Sequence, residues 1–170
     1  MKNMMKLVAV AAFVLAAMSV SAQVKLGHIN TQELIQAMPE VARANDTLEM
    51  KQSAVEKELT NMQEQLKTKT DEYSKNAASM TEVIRASKEQ ELNDLYGRIQ
   101  SFQQIAMQDL EATQRRLMQP IMDKVLNAIK AVGKENGYTY IFDLSAGGLL
   151  YFAETADDVM PLVKKKLGLQ

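Results

Sequence analysis

The side chains able to carry chemistry in this chain of 170 residues are few and badly spaced for it. His28 is the single histidine and cysteine is absent, which leaves no second imidazole or thiolate for a metal site, no thiol nucleophile and no disulfide framework. In its apolar-alternating surroundings His28 reads as an outward-pointing side chain or a satisfied hydrogen-bond partner within the body. Glu56 with Glu58, Asp71 with Glu72, and Asp157 with Asp158 are residue types suited to acid–base work. Each pair lies on a stretch patterned as a solvent-facing helix, where hydrated charge explains it. Ser145 lacks the Gly-x-Ser-x-Gly frame of a nucleophile turn, and Gly147-Gly148 leads toward a strand pattern, not the helix N-terminus that a phosphate loop needs. No catalytic, cofactor-binding or metal-binding residue is assigned, and the sequence is not read as an enzyme.

Methionine is more informative, with eight of the twelve after residue 22. Met62 and Met80 fit coiled-coil packing. Met50 and Met107 fall off that seam, where flexible, polarizable side chains suit varied partners, and they are the candidate contact residues.

The element that must carry them is helical. Residues 45–118 hold no proline, a single glycine (Gly97) and mostly strong helix formers. Leu48, Val55 and Met62 repeat every seven residues, as do Leu59, Leu66, Tyr73 and Met80, which makes one narrow a/d seam that also takes in Ala77. Leu92, Leu95, Ile99, Phe102, Ala106, Leu110, Thr113, Leu117 and Ile121 repeat the pattern, with a four-residue step after Ala106 that unwinds the supercoil locally. Weak helix formers over 76–87 place the hairpin tip there. Each helix of the pair is then about 50 to 70 Å long, too long for a compact globule of this mass, so the hairpin projects.

The flanks read as a small body. Residues 24–29 alternate as a half-buried strand; Asn30 caps a short helix with Glu33 reaching back, and Pro39 suits the first turn of the next. Pro120 predicts a kink where the arm re-enters the body, and Gly133 and Gly137 end that helix. Residues 138–144 and 149–153, joined by Ser145 to Gly148, read as a β-hairpin whose buried faces include Ile141 and Leu150. Thr155 and Asp158 resemble a capping box ahead of a final helix ending in Lys164-Lys165-Lys166. The expected class is α+β, with 23–44 and 119–170 as a β-containing body and 45–118 as the arm.

At the start, Lys2 and Lys6 precede an apolar run over 7–18 and then Ser19-Val20-Ser21-Ala22, the pattern of an export signal cleaved after Ala22. Without that segment the chain carries 18 basic and 21 acidic side chains, Lys2 and Lys6 having been lost from 20, a balance that argues against nucleic acid. With no disulfide and few aromatics, burial between subunits is an expected source of stability.

Four segments together resemble the Skp/OmpH family of periplasmic chaperones: Lys25-Leu26-Gly27-His28-Ile29-Asn30 with Leu34-Ile35; Pro39-Glu40 before the proline-free hairpin; Pro120-Ile121 leading to Gly137-Tyr138-Thr139-Tyr140-Ile141-Phe142-Asp143; and Leu149-Leu150-Tyr151-Phe152-Ala153 with Asp157-Asp158-Val159. The resemblance covers essentially the whole chain after residue 22. It implies a homotrimer joined through the β bodies and hairpins that surround unfolded outer-membrane proteins without ATP, metal or cofactor; Ile141 and Leu150, on strand faces read as buried, are the expected oligomerisation residues. Residues 46–118 hold 10 basic and 13 acidic side chains, unlike the basic arms of well-known members, so no residue is assigned to lipopolysaccharide or membrane-surface contact. The alternative is a structural spacer or docking arm of an envelope complex.

Overall fold

The computed structural model describes residues 24–169, and the export segment expected at 1–22 lies outside the described residues. The first strand, β1 (Leu26–Ile29), passes directly into helix α1 (Thr31–Gln36). The Asn30 side chain accepts the Glu33 amide at 3.1 Å, as a cap should. Glu33 does not complete the box; its carboxylate turns instead toward Lys164, 4.0 Å away. Pro39 opens α2 (Pro39–Asn76), where its missing N–H costs nothing. The arm's first helix therefore opens at Pro39, where the proline's position placed it, six residues before the proline-free stretch begins.

A 3₁₀ turn (Ala77–Ser79) reverses the chain inside the expected window, and Thr81 caps the return helix α3 (Glu82–Glu135) through the Ile84 amide. The two helices are antiparallel. Lys124 pairs with Glu40 near the body, Lys51 with Asp109 midway, and Lys69 with Glu91 near the tip, so residue numbers rise on one helix as they fall on the other. Helix α3 continues through Pro120 into the body. Gly133 does not end it; the helix runs two residues further, and the missing side chain at Gly133 leaves room for Ile141, whose Cδ1 would lie 3.4 Å from an added Cβ. The chain then turns at Gly137, whose φ of +70° suits glycine.

Strand β2 (Tyr140–Asp143) lies parallel to β1, pairing Leu26 with Tyr140 through Ile29 with Asp143. The expected β-hairpin is not formed. Residues 149–153 are not a strand; the chain crosses the sheet, and β3 (Asp157–Asp158) pairs parallel to the far edge of β1, giving the order β2-β1-β3. A parallel neighbour requires such a crossover, which a tight turn cannot make. Asp157 and Asp158 are thus strand residues, and Asp158 accepts the Met160 amide at 2.8 Å to start α4 (Met160–Leu167), so the Thr155 capping box is absent.

The core lies under the sheet's inner face: Ile29, Leu34, Met38, Ile121, Val125, Val132, Val159 and Val163 are its larger buried members. Gly27 is required there, because a Cβ would sit 2.8 Å from Val159 Cγ1. One polar knot ties the sheet to α1. The Asp143 carboxylate accepts the Thr31 hydroxyl (2.6 Å) and amide (3.1 Å) and the Ser145 amide (2.9 Å) and hydroxyl (2.8 Å).

Partial burial raises the Asp143 pKa, but the bonds from Thr31 and Ser145 outweigh it and hold the carboxyl below its ordinary value. Its stabilising effect is complete above the ordinary aspartate pKa and lost as pH falls through the lowered one. Asp143→Ala should cost about 1 to 2 kcal/mol at neutral pH by urea unfolding, and the gap to the parent should close in acid.

Candidate binding and assembly surfaces

The arm's seam follows the heptad reading closely. Leu48, Val55, Leu59, Met62, Leu66, Tyr73, Ala77 and Met80 are half-buried against α3. From α3, Leu95, Ile99, Ala106, Thr113 and Ile121 are buried, and Leu92, Phe102, Leu110 and Leu117 half-buried. Off the seam, Met50 and Met107 are each 67% exposed, and Ile105 and Tyr96 are also open to solvent. The arm therefore has two kinds of apolar side chain: one set committed to the partner helix, one uncommitted.

Near the tip, Glu91 is drawn to a pKa of about 2, chiefly by hydrogen bonds from Lys69 and Lys88 and then by their charges. Tyr73 donates to Glu89, which raises the phenol's pKa.

The body separates Ile141 from Leu150, which sequence reasoning had placed on equivalent buried strand faces. Ile141 points inward, packed on the chain's own core at Gly133. Leu150 is 97% exposed and belongs to a crossing loop. The sheet's outer face carries Leu26, Tyr140 and Phe142, all exposed, and His28, whose ring lies 4.6 Å from that of Phe152. Phe152 thus lies over His28, while Leu26, Tyr140 and Phe142 stay open, and Leu150 and Tyr151 on the crossing loop are exposed as well, so the body presents several apolar and aromatic side chains to solvent. The exposed residues of β1 and β2 were hidden from sequence reading because alternation shows two faces but not which is covered.

Of the two readings offered for His28, the structure takes the outward one: the side chain lies on the outer face against Phe152, and its buried Nδ1 has no partner. Ser145 is spent on Asp143 and on the Thr31 hydroxyl (3.0 Å), a structural turn. Asp157 accepts the Tyr138 hydroxyl at 3.1 Å, and Glu56 accepts from Gln52. Among the described residues no three His, Cys, Asp or Glu side chains converge as a metal site, and no helix is long and apolar enough to cross a membrane.

A small body whose outer sheet face leaves apolar side chains open, and a long coiled-coil hairpin growing from it, define an α+β class of projecting-arm proteins. The sequence model of the family described as Outer membrane protein (OmpH-like) matches residues 25–167. The chain belongs to this family, a chaperone family rather than an enzyme class. It is 25% identical over 152 residues to the chaperone protein Skp of Pectobacterium atrosepticum, covering 88% of this chain and 91% of that one. A crystal structure of an OmpH-like outer membrane chaperone from Caulobacter crescentus CB15 shares the fold, with a TM-score of 0.73 at 15% identity over 84% of this chain and 82% of that one.

The two body residues should respond differently to a buried charge. Ile141→Asp should lower the chain's own stability by roughly 2 to 4 kcal/mol, whereas Leu150→Asp should leave the fold within about 0.5 kcal/mol of the parent in dilute solution. Chemical denaturation of both variants checks this.

Proposed function

We propose that this chain is an ATP-independent periplasmic holdase: it binds unfolded outer-membrane proteins and prevents their aggregation, working as a homotrimer joined through the β bodies. In this reading residues 45–118 are the client-holding arm, residues 23–44 with 119–170 the assembly body, and the expected export segment delivers the protein to the periplasm. The observation that carries it is the bare apolar face of a small body beside a hairpin that projects with uncommitted Met50 and Met107. Unfolded β-barrel chains expose apolar segments and strand edges that aggregate, and a space between projecting arms isolates one chain from the next. Weak contacts to adaptable side chains tolerate many client sequences.

Assembly belongs to the bare face, with Leu150 in it and Ile141 supporting it from beneath. Sedimentation of the mature protein at micromolar concentration should give an elongated trimer, and Leu150→Asp should shift it toward monomer with its helix content kept. A compact monomer in the parent would overturn the assembly part.

Client capture should be apolar in origin. Exposed charge pairs weaken as the Debye length shrinks below about 8 Å, whereas apolar contacts do not fade with salt in that way. Suppression of aggregation of an unfolded outer-membrane β-barrel protein should therefore persist up to roughly 0.3 M salt. Met50→Glu with Met107→Glu should raise the chaperone concentration needed for half protection roughly fivefold, the equivalent of about 1 kcal/mol. Loss of protection with salt would favour electrostatic capture, and no protection at any salt would favour the spacer or docking role.

A further inference from the structure

The arm's seam contains two residues that an apolar periodicity cannot reveal. Lys51 lies between Leu48 and Val55, and Lys69 between Leu66 and Tyr73, both at the three-and-four spacing of the seam and both half-buried. Lys51 Nζ donates to the buried Thr113 hydroxyl at 2.6 Å and reaches Asp109 at 2.6 Å. Lys69 donates to Glu91, which is also held by Lys88 at 3.0 Å. Both lysines come from α2 and both acids from α3, about 27 Å apart along the arm at the helical rise.

We propose that Lys51 and Lys69 form a register lock that admits one alignment of α2 against α3. Beyond the root, where Ala44 and Ile121 join the body core, the apolar layers alone do not choose it. Beyond Ala44 no residue of α2 is fully buried, and Leu, Val and Met layers a heptad apart are near equivalents. The tip adds only solvent-exposed contacts, Tyr73 to Glu89 and Arg85 to the Ala77 carbonyl, which contribute little, and the turn can re-form nearby. A one-heptad slip one way sets Lys51 against Phe102 and Ala106, and Lys69 against Ile84. A slip the other way sets Lys51 against Arg116 and Pro120, and Lys69 against Arg98. Either one-heptad slip thus strands each lysine against an apolar surface or a like charge, and an unpaired, partly desolvated ammonium is costly.

The test uses spin labels at cysteines placed at the exposed Glu49 and Gln90, which the cysteine-free chain makes clean. Their levels on the arm lie about 35 Å apart, and a heptad slip moves them by about 10 Å. Labelled protein is diluted with unlabelled protein so that distances within one chain dominate the electron–electron measurement. The parent should give one narrow distance. Lys51→Leu with Lys69→Leu should keep helical circular dichroism yet add a second population displaced by about 10 Å. A single unshifted distance in that variant overturns the proposal. Should that variant lose helix content, Lys69→Glu should broaden the distribution and adding Glu91→Lys should restore it; absence of restoration overturns the lock equally.

Discussion

Each helix of the arm has only the other for cover, and the rest of the structure follows from that. Isolated helices are marginal in water, and two helices meeting along one narrow stripe can hide only the residues on it. This explains why burial along the arm is confined to the seam, half-buried on α2 and deeper on α3 at Leu95, Ile99, Ala106 and Thr113, and why the buried residue of α2, Ala44, lies where the body closes over it. It also sets the character of the core, which is concentrated at the arm's root, where α3 carries Ile121, Val125 and Val132 under the sheet.

Much of this was legible in the sequence because helices announce themselves locally. The heptad rows, the turn near Ala77, the Asn30 cap and Pro39 as a helix opener are short-range patterns, and the chain obeys them. What failed was pairing. Two short apolar runs around Gly147-Gly148 looked like neighbours, but nothing in either run states that the second stays out of the sheet and that Asp157-Asp158, not Leu149 to Ala153, takes the far edge of β1. Gly133 was misread for a similar reason: a glycine near a helix end suggests a stop, whereas this one makes space for Ile141 from a distant strand. The seam lysines went unseen because a search for apolar periodicity discards charged residues, although their long stems pack like aliphatic chains while the ammonium reaches an acid.

The family relationship accounts for the architecture, and the surfaces distinguish what this chain does with it. Its apolar side chains fall into three groups: those closing the seam, those beneath the sheet, and those left uncovered on the sheet's outer face and along the arm. The uncovered group includes Leu150, the most open large apolar side chain among the described residues, on a loop anchored at one end by the Asp143 knot. A loop so pinned holds an apolar residue outward at little entropic cost on contact with a second surface, since part of its freedom is already gone.

The pairing of Leu26 with Tyr140 also fixes an order of events. The strand that starts the body waits through more than a hundred residues, most of them in the two long helices, for its neighbour, a separation that makes direct encounter slow. Helix and hairpin closure are by contrast local and fast. Once α2 and α3 have zipped, they deliver Tyr140 back beside Leu26, so the arm acts as its own tether-shortener. The body is therefore the last part of each chain to take shape, and the bare sheet face comes into being only on a chain whose arm is already built.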